Sequence, residues 1–422
     1  MFDLVKFELK KIVARKSTRY TCLAIVALLC LIMTMNVFQT KTTNNTDEIL
    51  SGLDAIHQRQ ENAGARAGAL TDERLAEELS SYYELAFSKL DPDEIVTMSD
   101  AASYDAVKSA YGIEGARELY GSGYWPWLFG AWNNDKKEVV QMSAILGPSP
   151  EVSFYEALAE KTQVILDDGQ AGSWVYSDAE RAYWTQKQAE VTEPIVYGYT
   201  GGWQNIMDCI AFIAFAIIAI CVALAPMFAA EYQERTDSVI LSSRYGRSKL
   251  VAAKLIAAFL FTTAYFAVCV AIICAVSLAA HGTDGADLPI QMMALSSPYD
   301  FTMAQGTAIM VGIAYLMTLG FAGLTLFLSS KLRSLLSIFA IDVALVLLTG
   351  MIPTAGVGIL VHLNALFPTS GLVAPYLFWD YMSYPIGGFV IDLIGMQALV
   401  YSVLFVACLP LAALFFRRHQ VM

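Results

Sequence analysis

Charge is scarce in this chain. Of 422 residues, 16% are Asp, Glu, Lys or Arg, against 56% hydrophobic, and the mean hydropathy is +0.50. A soluble domain carries about a quarter charged residues, so an ordinary water-soluble globule is excluded. Histidine is scarcer still: His57, His281, His362 and His419 sit on distant segments and give no basis for a metal site. The seven cysteines (Cys22, Cys30, Cys209, Cys221, Cys269, Cys274 and Cys408) all fall within or beside apolar runs. None lies in the long hydrophilic segment, which removes a disulfide framework, a paired-cysteine zinc site and a thiol nucleophile from that part. There is no Gly-rich loop ending in Gly-Lys-Ser/Thr, no His-Glu-x-x-His and no Gly-x-Ser-x-Gly. With none of those motifs the sequence offers no basis for an enzyme and no catalytic, cofactor-binding or metal residue. A net charge of −12 also speaks against a nucleic-acid partner.

What the chain has instead is long apolar runs. Six are long enough to cross a hydrocarbon layer of roughly 30 Å: 20–38, 206–228, 250–280, 303–328, 335–353 and 391–416. The first is too long for a signal-peptide core and is kept as a span. Lys and Arg are distributed unevenly around these runs. Six precede the first, and five (Arg235, Arg244, Arg247, Lys249 and Lys254) follow the second. Two lie between the fourth and fifth and two after the sixth, while 281–302 and 354–390 have none. Short loops rich in Lys and Arg stay in the cytoplasm, whereas long translocated domains escape that rule. Both termini are therefore expected inside a cytoplasmic membrane and residues 39–205 outside. The expected architecture is an all-α, six-helix membrane protein in three parts: 1–38, an extracytoplasmic domain at 39–205, and 206–422.

The first part opens with "MFDLVKFELKKIVARK", which places Phe2, Val5, Leu9 and Ile12 on one helical face, away from Lys6, Lys10 and Lys11. That pattern predicts a helix lying in the membrane interface, or simply a basic flank that fixes orientation. The 39–205 domain holds 27 acidic residues against 12 basic ones and reads as mostly helical. Ser177 and Glu180 form a capping box, and Asp91–Pro92 and Ser149–Pro150 each offer a cap followed by proline. "YGSGYWPWLFGAW" (120–132) suits a packed loop or a surface resting on the bilayer, and Tyr197, Tyr199 and Trp203 suit an interfacial aromatic belt. Residues 354–390, apolar yet broken by Gly and Pro, suit a cap on the bundle, a re-entrant segment or an ordinary interfacial loop.

Between the second and third runs lies a charged island, "AAEYQERTDSVILSSRYGRSKLVAAK" (229–254). Tyr232, Thr236, Val239 and Ile240 recur at helical spacing on one face. Glu231 and Arg235 are i, i+4 neighbours, and Ser248 is placed to cap the next helix. This predicts a short amphipathic helix and a basic turn: either a docking element for a cytoplasmic partner or a plain connector.

Those residues resemble the cytoplasmic loop of permeases in the type-2 exporter family of ATP-binding-cassette (ABC) transporters. The matching positions are Glu231 and Glu234, Thr236, Ile240 and Leu241, Ser243, Arg247 and Lys254. Arg235 stands where that family usually has Gly, and no Pro precedes the Ser/Arg turn. "LVKFELKKI", "LFPTS", "YPIGG" and "FFRRH" extend the likeness over the membrane part. The resemblance implies that 231–249 is a coupling loop seated in a cleft of a separate ABC ATPase, with Glu231, Tyr232, Glu234, Thr236, Val239, Ile240, Leu241 and Arg247 at the contact. It further implies a second permease copy or paralogue, making a dimer. No cofactor is expected in this chain, since ATP and Mg would be bound by the ATPase. Export of an unspecified substrate is the implied function. The alternatives are an ATPase-driven mechanotransmitter that moves its outer domain, or a secondary transporter, for which ionisable residues within the spans are few.

Asp342 is the one acidic residue well inside a span, about 10 Å from its inner end, and Lys254 lies roughly 8 Å deep by the same helical rise. Matching depths predict a Lys254–Asp342 pair across the third and fifth spans. The competing expectation is that Lys254 snorkels while Asp342 faces water.

Overall fold

The computed structural model describes residues 1–43, 48–120, 123–169, 174–236, 248–351 and 357–418. Among the described residues, five helices are long and apolar enough to cross a membrane: Lys16–Gln39, Gly201–Gln233, Lys249–His281, Met303–Lys331 and Leu393–Arg417. The run at 335–353 differs from the sequence expectation. Its α-helix covers only Leu335–Leu347 and passes into a 3₁₀ turn at Leu348–Met351. Thirteen α-helical residues rise about 20 Å, and the change to a 3₁₀ turn falls at Thr349 and Gly350, residues that do not favour α-helix.

The chain divides into two compact units. The bundle unit comprises Met1–Thr34, Ile206–Val276 and Thr307–Met422. It begins with α1 (Phe2–Ala14), followed after a turn at Arg15 by α2 (Lys16–Gln39). Arg19 secures that turn by donating Nε to Val13 O (3.1 Å) and Nη2 to Ala14 O (2.9 Å), filling the last carbonyls of α1. The buried stripe of α1 is Val5, Glu8 and Ile12, whereas Phe2 and Phe7 are exposed. An acidic residue thus sits in the middle of the apolar face.

Residues 357–392 hold three short helices, Gly358–Asn364, Pro368–Gly371 and Ala374–Phe378, and a hairpin. Its broken backbone is satisfied from the last long helix. Gln397 Nε2 donates to Ala365 O (2.7 Å) and Gly371 O (2.9 Å), and Tyr401 donates to Leu366 O (2.6 Å). Irregular backbone near a bilayer needs such protein partners. The hairpin pairs Ser383–Ile386 with Phe389–Asp392 through Gly387 and Gly388 at φ of 58° and 89°. Two successive positive φ values define the tight hairpin turn that glycine pairs favour. This hairpin was not among the elements expected from the sequence, although "SYPI-GG-FVID" carries its signature.

The acidic unit comprises Met35–Asn205 and Ser277–Gly306. Its helices are α3 (Leu53–Gly64), α4 (Asp72–Ala86), α5 (Pro92–Thr97), α6 (Asp100–Tyr120), α7 (Tyr124–Phe129), α8 (Val139–Leu146), α9 (Phe154–Asp168) and α10 (Asp178–Ala189). The expected capping box at Ser177–Glu180 is present, and Asp91 caps α5 ahead of Pro92. The start expected at Ser149–Pro150 moves to Ser153, where a second capping box with Glu156 opens α9. That box satisfies end groups in both directions, which a lone cap with proline cannot match.

The aromatic stretch at 120–132 forms α7, whose Tyr124, Trp125, Leu128 and Phe129 are buried. It is the core of the unit, so the bilayer-facing alternative is overturned. Tyr82 lies 4.5 Å from Trp125 and 5.2 Å from Phe129 between ring centroids. Tyr197, expected in an interfacial belt, instead packs edge-on to Tyr124 at 4.7 Å. Lys161 donates to Gly130 O (2.6 Å) and Asn133 O (3.2 Å), and its burial lowers its pKa below the ordinary lysine value. The segment after the 249–281 helix joins this unit through Trp127 Nε1 to Gln291 O (3.0 Å) and Thr192 Oγ1 to Asp300 Oδ2 (3.0 Å).

Candidate functional site

The charged island begins at a helix break. Pro226 has no N–H, so it interrupts the hydrogen-bond ladder of the Gly201–Gln233 span and starts a new segment, Pro226–Gln233. The amides just after the break take a partner from another helix. Ser329 Oγ accepts from Phe228 N (3.0 Å) and Ala229 N (3.1 Å) and donates to Ala225 O (2.6 Å). All of these groups are buried. Ala225, Ala229 and Ile338 pack around the same point, with Leu328, Leu332 and Leu335 against them.

At Glu231, five residues after Pro226, the segment meets a buried charge cluster. Lys254 is fully buried; its ammonium donates to Glu8 Oε2 (3.2 Å) and Met227 O (2.9 Å) and forms an ion pair with Glu231 Oε1 (2.6 Å). Lys11 Nζ approaches the same Glu231 oxygen at 3.7 Å. Two carboxylates thus face two ammonium groups, which removes the net charge that would make burial prohibitive. The cluster ties α1, the Pro226–Gln233 segment and the second turn of the 249–281 helix together. Arg15 adds Nη2 to Pro226 O at 3.3 Å. Burial lowers its pKa, opposed by the charges of Glu8, Glu234 and Glu231.

The expected Lys254–Asp342 pair is not formed. Asp342 is buried beside Thr325, whose Oγ1 lies 3.0 Å from Oδ2. Lys254 is instead taken up by the carboxylates of Glu8 and Glu231. Glu8 was missed by the sequence reading. Its signal was there: it lies three residues after Val5 and four before Ile12, inside an apolar stripe, where an acidic side chain needs a partner.

Tyr232 also takes a different role from the docking contact expected of it. It is 8% exposed, donates its hydroxyl to Ser330 O (2.9 Å) and sits 6.0 Å from the Phe416 ring. The apolar face of the island is therefore covered by the chain's own bundle at this position. The segment ends at Arg235, with φ of 55°. Arg235 N bonds Tyr232 O (3.4 Å) and Thr236 N bonds Glu231 O (3.0 Å), the two bonds of a Schellman motif. Arginine thus occupies the left-handed position that glycine favours. Thr236 Oγ1 also donates to Glu231 O (3.4 Å), and Glu234 is exposed. Glu231 is held by lysines, not by Arg235 in an i, i+4 pair. Val239, Ile240, Leu241 and Arg247 lie outside the described residues. At the far side of the island, Ala252 N bonds Ser248 O (3.2 Å). Among the described residues no group of three or more His, Cys, Asp or Glu could hold a metal ion.

A helical chain with several membrane-crossing helices and an island of this kind defines a multi-pass membrane protein. The profile of the ABC-2 family transporter proteins matches residues 4–389, and the chain belongs to that family. No curated protein and no solved structure matches it.

Proposed function

We propose that this chain is the membrane permease subunit of an ABC exporter, working as a dimer and driven by ATPase subunits on another polypeptide. The observation that carries the reading is the mechanical connection of the island. Its first helix is defined at one end by Pro226 and Ser329 and at the other by the Arg235 turn, and Lys254 clamps it to two further helices. A push on 231–249 is therefore delivered to α1 and to the 249–281 helix together, as rigid-body gating requires. The island and both termini would face the cytoplasm, with 39–205 on the outer side of the cytoplasmic membrane and α1 in the interface. ATP and Mg would be held by the ATPase, and this chain would do no chemistry of its own.

Two measurements test this. An impermeant thiol reagent applied to intact cells should label Asn44→Cys and leave Ser242→Cys untouched; the opposite pattern overturns the orientation. The purified chain should bring down an ABC ATPase, and Val239→Asp should cut that recovery about tenfold or more, since an unpaired charge at a packed contact is strongly unfavourable. Equal recovery with the variant would mean that the island is only a connector. The mechanotransmitter alternative is favoured by one observation, the separate aromatic core of the acidic unit. It predicts ATPase partnership with no ATP-dependent flux of any solute.

A further inference from the structure

The acidic unit contains a cleft of about 860 Å³, within the 300–1,000 Å³ range typical of small-molecule sites. Its charge is opposite to that of its surroundings. Segment 39–205 carries 27 acidic and 12 basic residues. Yet Arg66, Lys108 and Arg117 line the cleft against only Glu114 and Glu118. Three cations of twelve and two acids of twenty-seven meet there, so the cleft is positive inside a strongly negative unit.

The second feature is aromatic. Tyr104, Tyr120, Tyr124 and Trp125 also line the cleft. The guanidinium of Arg66 stands 4.5 Å from the Trp125 ring centroid and 4.9 Å from that of Tyr124. Both rings are buried and fixed. Tyr124 donates its hydroxyl to Glu78, and Arg74 Nε holds the other oxygen of that carboxylate at 2.9 Å. Arg66 is thus pre-set by two rigid ring faces. Among the described residues neither Arg66 nor Lys108 has a carboxylate partner. Tyr104 and Lys108 are i, i+4 neighbours on α6, and α6 kinks at Gly112 (φ 73°), bringing Glu114, Arg117 and Tyr120 of its second half to the same cleft.

We propose that this cleft binds an anionic ring compound, a phosphorylated or carboxylated aryl or sugar ligand. The oxyanion would be received by Arg66, Lys108 and Arg117, and the ring would lie against Tyr104 and Tyr120. A planar guanidinium matches the two oxygens of a carboxylate or phosphate, and ring faces stack on aromatic side chains. Neither group alone explains the pairing of local positive charge with exposed aromatic surface. The proposal does not depend on the transport reading, because binding is measured without ATP or an ATPase.

The test uses the full chain in lipid nanodiscs at low ionic strength, where charge contacts are least screened. Ligand-observed NMR would be run with phenyl phosphate, glucose 1-phosphate, inorganic phosphate and benzyl alcohol. Saturable binding of phenyl phosphate or glucose 1-phosphate is expected, at least about tenfold tighter than the ring-free anion or the charge-free ring. Preference between the first two distinguishes an aryl from a sugar body. Lys108→Glu, on an exposed side chain, should weaken binding about tenfold with an unchanged unfolding temperature. Arg66→Gln should do the same to binding. No saturation by either ring anion up to about 10 mM overturns the site. So does equal affinity for benzyl alcohol, or binding that both variants leave within about twofold of the parent.

Discussion

Lys254→Met should accumulate less and lose about 3–5 kcal/mol of stability, the usual cost of removing one partner from a buried ion cluster. Methionine keeps the shape of the lysine stem, so packing is nearly preserved and the loss reports charge. Glu8 and Glu231 would be left buried and facing each other without the ammonium that now lies 3.2 and 2.6 Å from them. The purified variant should show an apparent Tm lower by roughly 5–15 °C. The informative companion is the triple variant Glu8→Gln, Glu231→Gln, Lys254→Met. Neutralising all three groups removes the uncompensated charges and should recover most of the loss, since neutral replacements of buried ion clusters are often tolerated. If Lys254→Met melts with the parent, the cluster contributes nothing to the fold. If the triple variant is no better than the single one, the loss comes from packing instead.

Ser329→Ala should destabilise the bundle by about 1–3 kcal/mol, because buried amides next to Pro226 lose an acceptor. The size depends on the proline. In a Pro226→Ala background the helix regains its missing N–H and can run on regularly, so the same serine substitution should cost clearly less. A double-mutant cycle on Tm reads this difference directly. Equal effects in both backgrounds would mean that Ser329 serves only as a packed side chain. Neither substitution touches the exposed part of the island, so residual ATPase recovery distinguishes lost stability from lost docking.

Much of the bundle could be read from apolar run length alone, including all five long apolar helices found among the described residues. Length alone did not place the end of the α-helix at Leu347, where hydropathy continues but Thr349 and Gly350 do not favour helix. Capping chemistry located α5 and α10 because side-chain acceptors and amides lie within three residues of each other. It misplaced the start of α9 by ignoring Ser153 and Glu156 in favour of a proline. The charge cluster was half legible. Lys254 stood out as an ion inside a span, but depth along a helix says nothing of azimuth, and azimuth selected Glu8 and Glu231 over Asp342. Tyr232 shows a similar limit. Helical periodicity identifies an apolar face without telling whether the chain itself or a partner will cover it.

The clamp on Lys254 has a consequence for synthesis in real time. Glu8 and Lys254 are 246 residues apart in sequence. At about 5–20 residues per second, Glu8 waits roughly 12 to 50 s for its counter-ion after it leaves the ribosome. During that interval α1 carries an unmatched carboxylate on its apolar stripe, so it is held off from the interior it will later occupy. α1 is thus made well before it can be seated, and the arrival of the 249–281 helix is the event that seats it.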